Sequence, residues 1–210
     1  MSGALIIAID GPAASGKGTL ARRIAATLGL PYLDTGLLYR AVARKLMDAH
    51  ADPRDPLAAT RAAESLQAAD LKRSDLRGED CGAVASLVAL MPSVRAALLD
   101  FQRGFAARAG GAQAGAVLDG RDIGTVIFPH AAVKLFVTAS LQVRAERRCR
   151  EIGGVLPDVI EELAARDLRD QGRSTAPLKP APDALLLDTS DLDTDGAFHA
   201  AMKLIRGRLS

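Results

Sequence analysis

Apolar residues along this chain fall into short unbroken runs, separated by longer stretches in which they recur every third or fourth position. The run Leu5-Ile6-Ile7-Ala8-Ile9, ending at Asp10-Gly11-Pro12, predicts a buried parallel strand, since such a strand is covered on both faces. Further strands are expected at Tyr32–Asp34, at 116–119 after the Gly110-Gly111 break, at 133–137 and at 184–187. Helical spacing covers 17–29, closed by Gly29, then 36–49, 56–68, 82–90, 93–108, 140–151, 157–171 and 195–208. The stretch 52–82, with Asp52-Pro53, Asp55-Pro56, many charges and Gly78, breaks that rhythm. Strand alternating with helix predicts an α/β fold, a parallel sheet with helices on both faces. No repeat and no long linker divides the chain, so one domain with mobile flaps is expected.

Composition narrows the classes. With 210 residues the chain can bury a full α/β core. Its apolar half is mostly Ala, Leu and Val, with 3% aromatics, which favours helices. The net charge of +2 gives no basic excess for a nucleic-acid or membrane partner. Cys81 and Cys149 form no Cys-x-x-Cys motif and read as reduced thiols, not as a disulfide or metal site. The first apolar run contains Asp10 and leads into a Gly-rich loop, unlike a signal peptide. No run reaches membrane-spanning length, and a cytoplasmic location is expected.

Directly after the first strand, Gly11-Pro12-Ala13-Ala14-Ser15-Gly16-Lys17 fits G-x-x-x-x-G-K and opens a helix. Such a P-loop wraps a phosphate with its N–H groups, and the helix N-terminus adds partial positive charge. Lys17 is placed to bridge the β- and γ-phosphates of ATP. Gly18 stands where a Ser or Thr is usual, with Thr19 one position on. A GTPase would need an Asn-Lys-x-Asp guanine reader, and the chain has no asparagine. A motor or transporter ATPase would need a carboxylate to activate water. Leu118-Asp119 offers a Walker-B-like Asp, but Gly120-Arg121-Asp122 follows it and not a Glu. The other landmarks are arginines: Arg40, Arg95, Arg121, Arg166, Arg169 and Arg173. Guanidinium forks suit a phosphate acceptor, whose oxygens are already ionised and need no general base. A kinase acting on a phosphorylated small molecule fits best.

The residues that carry this reading resemble one family, bacterial cytidylate kinase, within the nucleoside monophosphate kinases. The matches are Gly11 to Thr19, Asp34-Thr35-Gly36-Leu37-Leu38-Tyr39-Arg40, Asp119-Gly120-Arg121-Asp122-Ile123-Gly124-Thr125, and Arg166-Asp167-Leu168-Arg169-Asp170-Gln171-Gly172-Arg173 with Ala176-Pro177-Leu178. They stand in the family's order. The resemblance implies a three-layer P-loop fold with a five-stranded parallel sheet, a monophosphate-binding region at about 35–111 and a mobile lid at about 141–175, set on a core of 1–34, 112–140 and 183–210. It implies transfer of the γ-phosphate of ATP to CMP or dCMP with Mg²⁺, in pyrimidine nucleotide metabolism, by a monomer; the alternative is another P-loop small-molecule kinase, for a different nucleoside monophosphate or of the shikimate type.

Residue by residue, the resemblance implies that Gly11, Pro12, Ala13, Ala14, Ser15, Gly16, Lys17, Gly18 and Thr19 bind ATP. Thr35, Ser86, Arg95 and Asp122 are the implied base pocket, and Arg40, Arg121 and Arg173 the clamp on the acceptor phosphate. Arg166 and Asp170 are the implied sugar contacts, and Lys17, Arg121 and Arg173 the catalytic cations. Thr19 and Asp119 are expected at the Mg²⁺, Asp119 through water. Cytosine offers acceptors at O2 and N3 and a donor at N4, which an Arg and an Asp can read. Two departures stand out: 51–85 is short and Ala-rich where relatives carry a longer, partly stranded insertion, and Ala14 and Ser15 occupy positions where Gly is frequent. Arg144 and Arg148, four residues apart on one helix, are expected to face the ATP phosphates, with Arg147 and Arg150 as surface charge.

Overall fold

The computed structural model describes residues 4–109 and 115–210. The Gly110-Gly111 break lies outside the described residues. Five strands form one sheet: β1 (Leu5–Asp10), β2 (Tyr32–Asp34), β3 (Gly115–Gly120), β4 (Val133–Thr138) and β5 (Leu185–Asp188). Their order is β2-β3-β1-β4-β5, and β1 runs parallel to β3 and β4, as β4 does to β5. Ile7 and Ile9 of β1, on one face, enter a core with Leu20, Ile24, Val117, Leu135, Met202 and Ile205. Ile6, Ala8, Ala116 and Leu118, on the other face, are buried as well. Burial on both faces is why these strands read as unbroken apolar runs.

The helices are α1 (Lys17–Leu28), α2 (Thr35–Asp48), α3 (Pro56–Glu64), α4 (Glu79–Val88), α5 (Pro92–Ala109), α6 (Leu141–Ile152), α7 (Leu156–Gln171) and α8 (Thr194–Leu209). Apolar faces of α1 and α8 cover the Ile7 side of the sheet. The chain divides into two compact units: described residues up to Leu33 with those from Phe105 onward, and Asp34–Gly104.

The differences from the expected elements are local. Helix α3, capped at its start by Asp55, stops at Glu64, and just beyond it Asp70 takes the Gln67 N–H that a continuing helix would have used. Two 3-10 turns, Asp70–Lys72 and Ser74–Arg77, then fill the irregular stretch. No strand occurs among the described residues of 51–85. A π-helical turn, Ile123–Ile127, follows β3 and was not expected. Among the described residues no single helix is long and apolar enough to cross a membrane.

Candidate active site

The chain leaves β1 and turns sharply into α1. Gly11 is required there, since a Cβ would collide with the Val137 carbonyl of β4. Gly16, at φ 82, sits in the left-handed region and opens the helix. Ala14, at φ 58, adopts that region without being glycine. No side chain caps α1 and no acidic residue stands in its first turn, so its N–H groups and dipole are open to an anion. Buried Lys17 donates from Nζ to the Pro12 carbonyl at 3.1 Å. The Ser15 hydroxyl is buried without a hydrogen-bond partner. These features suit an anionic group at the start of α1.

Three carboxylates lie at the ends of the central strands. Asp119, at the end of β3 and in register with Ile9, is buried and accepts from the Tyr32 hydroxyl at 2.7 Å. A Cβ at position 18 would stand 3.6 Å from Asp119 Oδ2. Thr19, about 100° further round the helix, is exposed and accepts from Arg22 at 3.4 Å. Position 18, and not Thr19 as expected, therefore faces Asp119.

Asp10 accepts from the backbone N–H groups of Ile123 and Gly124, each at 2.8 Å. Those bonds fix the start of the π-helical turn directly after Arg121 and Asp122. A Cβ on Gly124 would press on Lys134 at 3.1 Å and on Asp10 at 3.4 Å. Burial pushes the Asp10 pKa up to about 7, against the pull of those two N–H groups. Asp122 is buried beside this turn. Sequence reasoning missed Asp10; the available signal was a carboxylate ending an otherwise apolar buried run.

The arginine array after β3 converges on a single carboxylate. Arg121 donates Nε to Asp170 Oδ2 at 2.8 Å, and Arg173 Nη2 donates to Asp170 Oδ1. Asp170 is 2% exposed. Burial alone would raise its pKa, yet the charges of Arg121 and Arg173 hold it below the usual carboxylate range. Of the residues implied for the acceptor phosphate and sugar, Arg121, Asp170 and Arg173 are thus brought together, Asp170 facing the arginines.

Helix α6 departs from expectation. Arg144 is buried and turns its guanidinium to Asp167, with distances of 3.2 and 2.6 Å, and to the carbonyls of Ala139 and Ala13. It was expected to face the ATP phosphates, and its guanidinium is committed to protein acceptors, one of them in the loop. Arg148 pairs with Glu151 at 3.1 Å on the same helix. Arg147, expected as surface charge, instead donates to the Thr189 hydroxyl and to the carbonyls of Thr189 and Leu192. Spacing of four places Arg144 and Arg148 on one face but does not say which acceptors that face meets.

Within Asp34–Gly104, Thr35 is buried in the first turn of α2. Arg40 on α2 donates to the carbonyls of Leu76 at 2.8 Å and Gly78 at 3.0 Å. A Cβ on Gly82 would stand 2.9 Å from its guanidinium. Ser86 on α4 donates back to the Gly82 carbonyl at 3.1 Å. Arg95 on α5 is buried, donates to the Ala89 carbonyl and stacks over the Tyr39 ring at 5.8 Å. Tyr39 therefore packs beneath an arginine.

Comparison with known proteins decides the family. Residues 7–207 match the family model described as cytidylate kinase. The chain belongs to the cytidylate kinase family. A cytidylate kinase of Paramagnetospirillum magneticum is 59% identical over 95% of this chain and 97% of its own length. Another, of Acidiphilium cryptum, is 59% identical over 98% of this chain and 97% of its own length. Among solved structures, an uncharacterized protein from Eubacterium ventriosum superposes with a TM-score of 0.59 at 15% identity, covering 96% of this chain and 98% of the other. At that identity the likeness speaks to the fold alone.

Proposed function

We propose that this member of the cytidylate kinase family transfers the γ-phosphate of ATP to CMP or dCMP, giving ADP and CDP or dCDP. The observation that carries this reading is the uncapped, acid-free N-terminus of α1 closing a Gly11–Lys17 phosphate loop, in a chain whose relatives are cytidylate kinases. An acceptor phosphate is ionised before it reacts, so positioning and charge suffice and no general base is required.

In this reading the loop amides hold the donor phosphates and Lys17 follows the charge on the transferring group. Arg40, Arg121 and Arg173 take the acceptor phosphate as bidentate forks. Arg166 and Asp170 take the sugar. Asp122 accepts from N4 of cytosine, while Arg95, with Thr35 and Ser86, donates to its other edge. Uracil reverses the pattern at N3 and position 4 and leaves buried groups mismatched, a loss of about 1–3 kcal/mol each. Helices α6 and α7 act as a lid that Arg148 brings toward the ATP phosphates, so hydrogen exchange across 144–173 slows when both nucleotides bind. No slowing there rules the lid out.

The hard oxygen of Asp119, oriented by the Tyr32 hydroxyl beside Gly18, suits Mg²⁺. We assign Asp119, through water, as the protein's contact to that ion. When bound, Mg²⁺ neutralises charge on the ATP phosphates. The test of the whole reading is ADP production with CMP, dCMP, UMP, AMP and shikimate offered in turn. CMP and dCMP are expected to support turnover far above the others; preference for AMP or shikimate refutes the assignment.

A further inference from the structure

In a planar trans peptide the carbonyl and the following N–H point opposite ways. Whatever holds a phosphate-loop carbonyl therefore aims the next amide. Two such carbonyls are held by side chains from beyond the loop. Ala13's accepts from Arg144 Nη1 at 3.3 Å, and Ser15's lies 3.3 Å from the Thr189 hydroxyl, whose single proton is shared with the Thr138 carbonyl at 3.1 Å. Arg147, also on α6, steadies that hydroxyl at 3.0 Å.

Arg144 is the one of the two holders that also carries an ion pair. It is 5% exposed, and Nε also donates to the Ala139 carbonyl at 3.0 Å. Its remaining contacts form a fork on Asp167, Nη1 to Oδ1 at 3.2 Å and Nη2 to Oδ2 at 2.6 Å. Around it Ala13 and Ala14 pack with Ala145, Val159 and Leu163, so the loop is seated on the α6–α7 hairpin. Asp167 follows Arg166 directly and precedes Asp170 by three residues, less than one helical turn.

We propose that Arg144 is a positioning residue for phosphoryl transfer: it turns the Ala13 carbonyl away from the phosphate, aims the Ala14 amide at it, and ties that orientation through Asp167 to α7. A lysine cannot substitute, because one ammonium cannot reproduce a planar fork on Asp167 together with bonds to two carbonyls. The proposal rests on the reading of the loop as the donor site. It makes donor binding depend on an ion pair that touches neither nucleotide.

The test is calorimetric titration of ADP and, separately, of CMP into wild type, Arg144→Lys, Asp167→Asn and the double variant Arg144→Met with Asp167→Leu. Steady-state kcat and KM for CMP and thermal midpoints are measured alongside. Both single variants should bind ADP about tenfold more weakly, the size of a lost charge-assisted contact. CMP affinity and its KM should stay within about twofold, the scatter of such context-dependent contacts, while kcat falls. Replacing both buried partners by apolar residues returns stability lost in the single variants but leaves the Ala13 carbonyl without its donor, so ADP binding should stay weak. ADP binding that equals wild type in the single variants, or recovers with stability in the double variant, overturns the proposal. A wild-type protein that binds no ADP overturns the reading of the loop instead.

Discussion

Arg121 reaches Asp170 across 49 residues of chain, Nε to Oδ2 at 2.8 Å, and Arg173 closes on the other oxygen of the same carboxylate. Two arginines assigned to the acceptor phosphate therefore rest on one buried anion. Asp170 keeps both guanidinium groups oriented and offsets one of their two positive charges, which leaves a net positive charge for an incoming anion. A phosphate dianion offers more acceptor oxygens than a carboxylate and competes for the same forks.

Lys17→Ala should give a folded protein with turnover reduced on the order of 100-fold or more, the cost of one contact in a preorganised site. In the proposed reaction Lys17 supplies the charge that follows the transferring group, whereas the loop amides would still bind phosphate in the variant. Circular dichroism establishes folding, and a coupled ADP assay measures the loss. Near wild-type turnover contradicts the role of the loop.

Asp122→Asn should compress the preference for CMP over UMP. The amide can present either its oxygen or its NH₂ to position 4 of the base, so the reason to reject uracil weakens. The readout is the ratio of kcat/KM for the two nucleotides. An unchanged ratio means that Asp122 does not read the base.

Gly82→Ala should raise KM for CMP with little change in KM for ATP. The new methyl would stand 2.9 Å from Arg40 Nη2 and push the guanidinium aside from its present place. Displacing a positioning group by about 1 Å can cost up to about 100-fold in rate. Unchanged kinetics with CMP removes Arg40 from the acceptor clamp.

Two buried carboxylates give opposite pH dependences of stability. Asp170, held below the usual range by Arg121 and Arg173 despite its burial, stabilises the fold above the unfolded pKa of about 3.9. That contribution is lost as pH falls through its lower folded value. Asp10 has a folded pKa of about 7, raised by burial and by Asp122 and opposed by the Ile123 and Gly124 N–H groups and Arg121. Its ionisation costs nothing below the unfolded pKa of about 3.9, and an increasing amount as pH rises toward 7. Denaturant unfolding of wild type and Asp10→Asn from pH 4 to 7 should show wild type losing stability relative to the variant as pH rises. A pH-independent difference contradicts the buried Asp10.

The sheet was legible because β1, β3 and β4 carry apolar runs that burial on both faces demands, while β5, at the sheet edge, keeps such a run although Leu186 is exposed. The loop was legible because Gly11 and Gly16 are imposed by local backbone geometry. The π-helical turn was not, because Asp10 anchors it from 113 residues away. The same holds for Arg144 and Arg147: helical spacing sorts them by face, while Asp167 and Thr189, which decide what they do, come from other elements. Tyr32 likewise acquires its partner only when β2 and β3 enter one sheet.

The central claim is tested most directly by following the label from ATP carrying ³²P at its γ-phosphate in the presence of CMP and Mg²⁺. The account predicts label in the β-phosphate of CDP, with one ADP formed for each CDP. Label released as inorganic phosphate while CMP remains unchanged would contradict it.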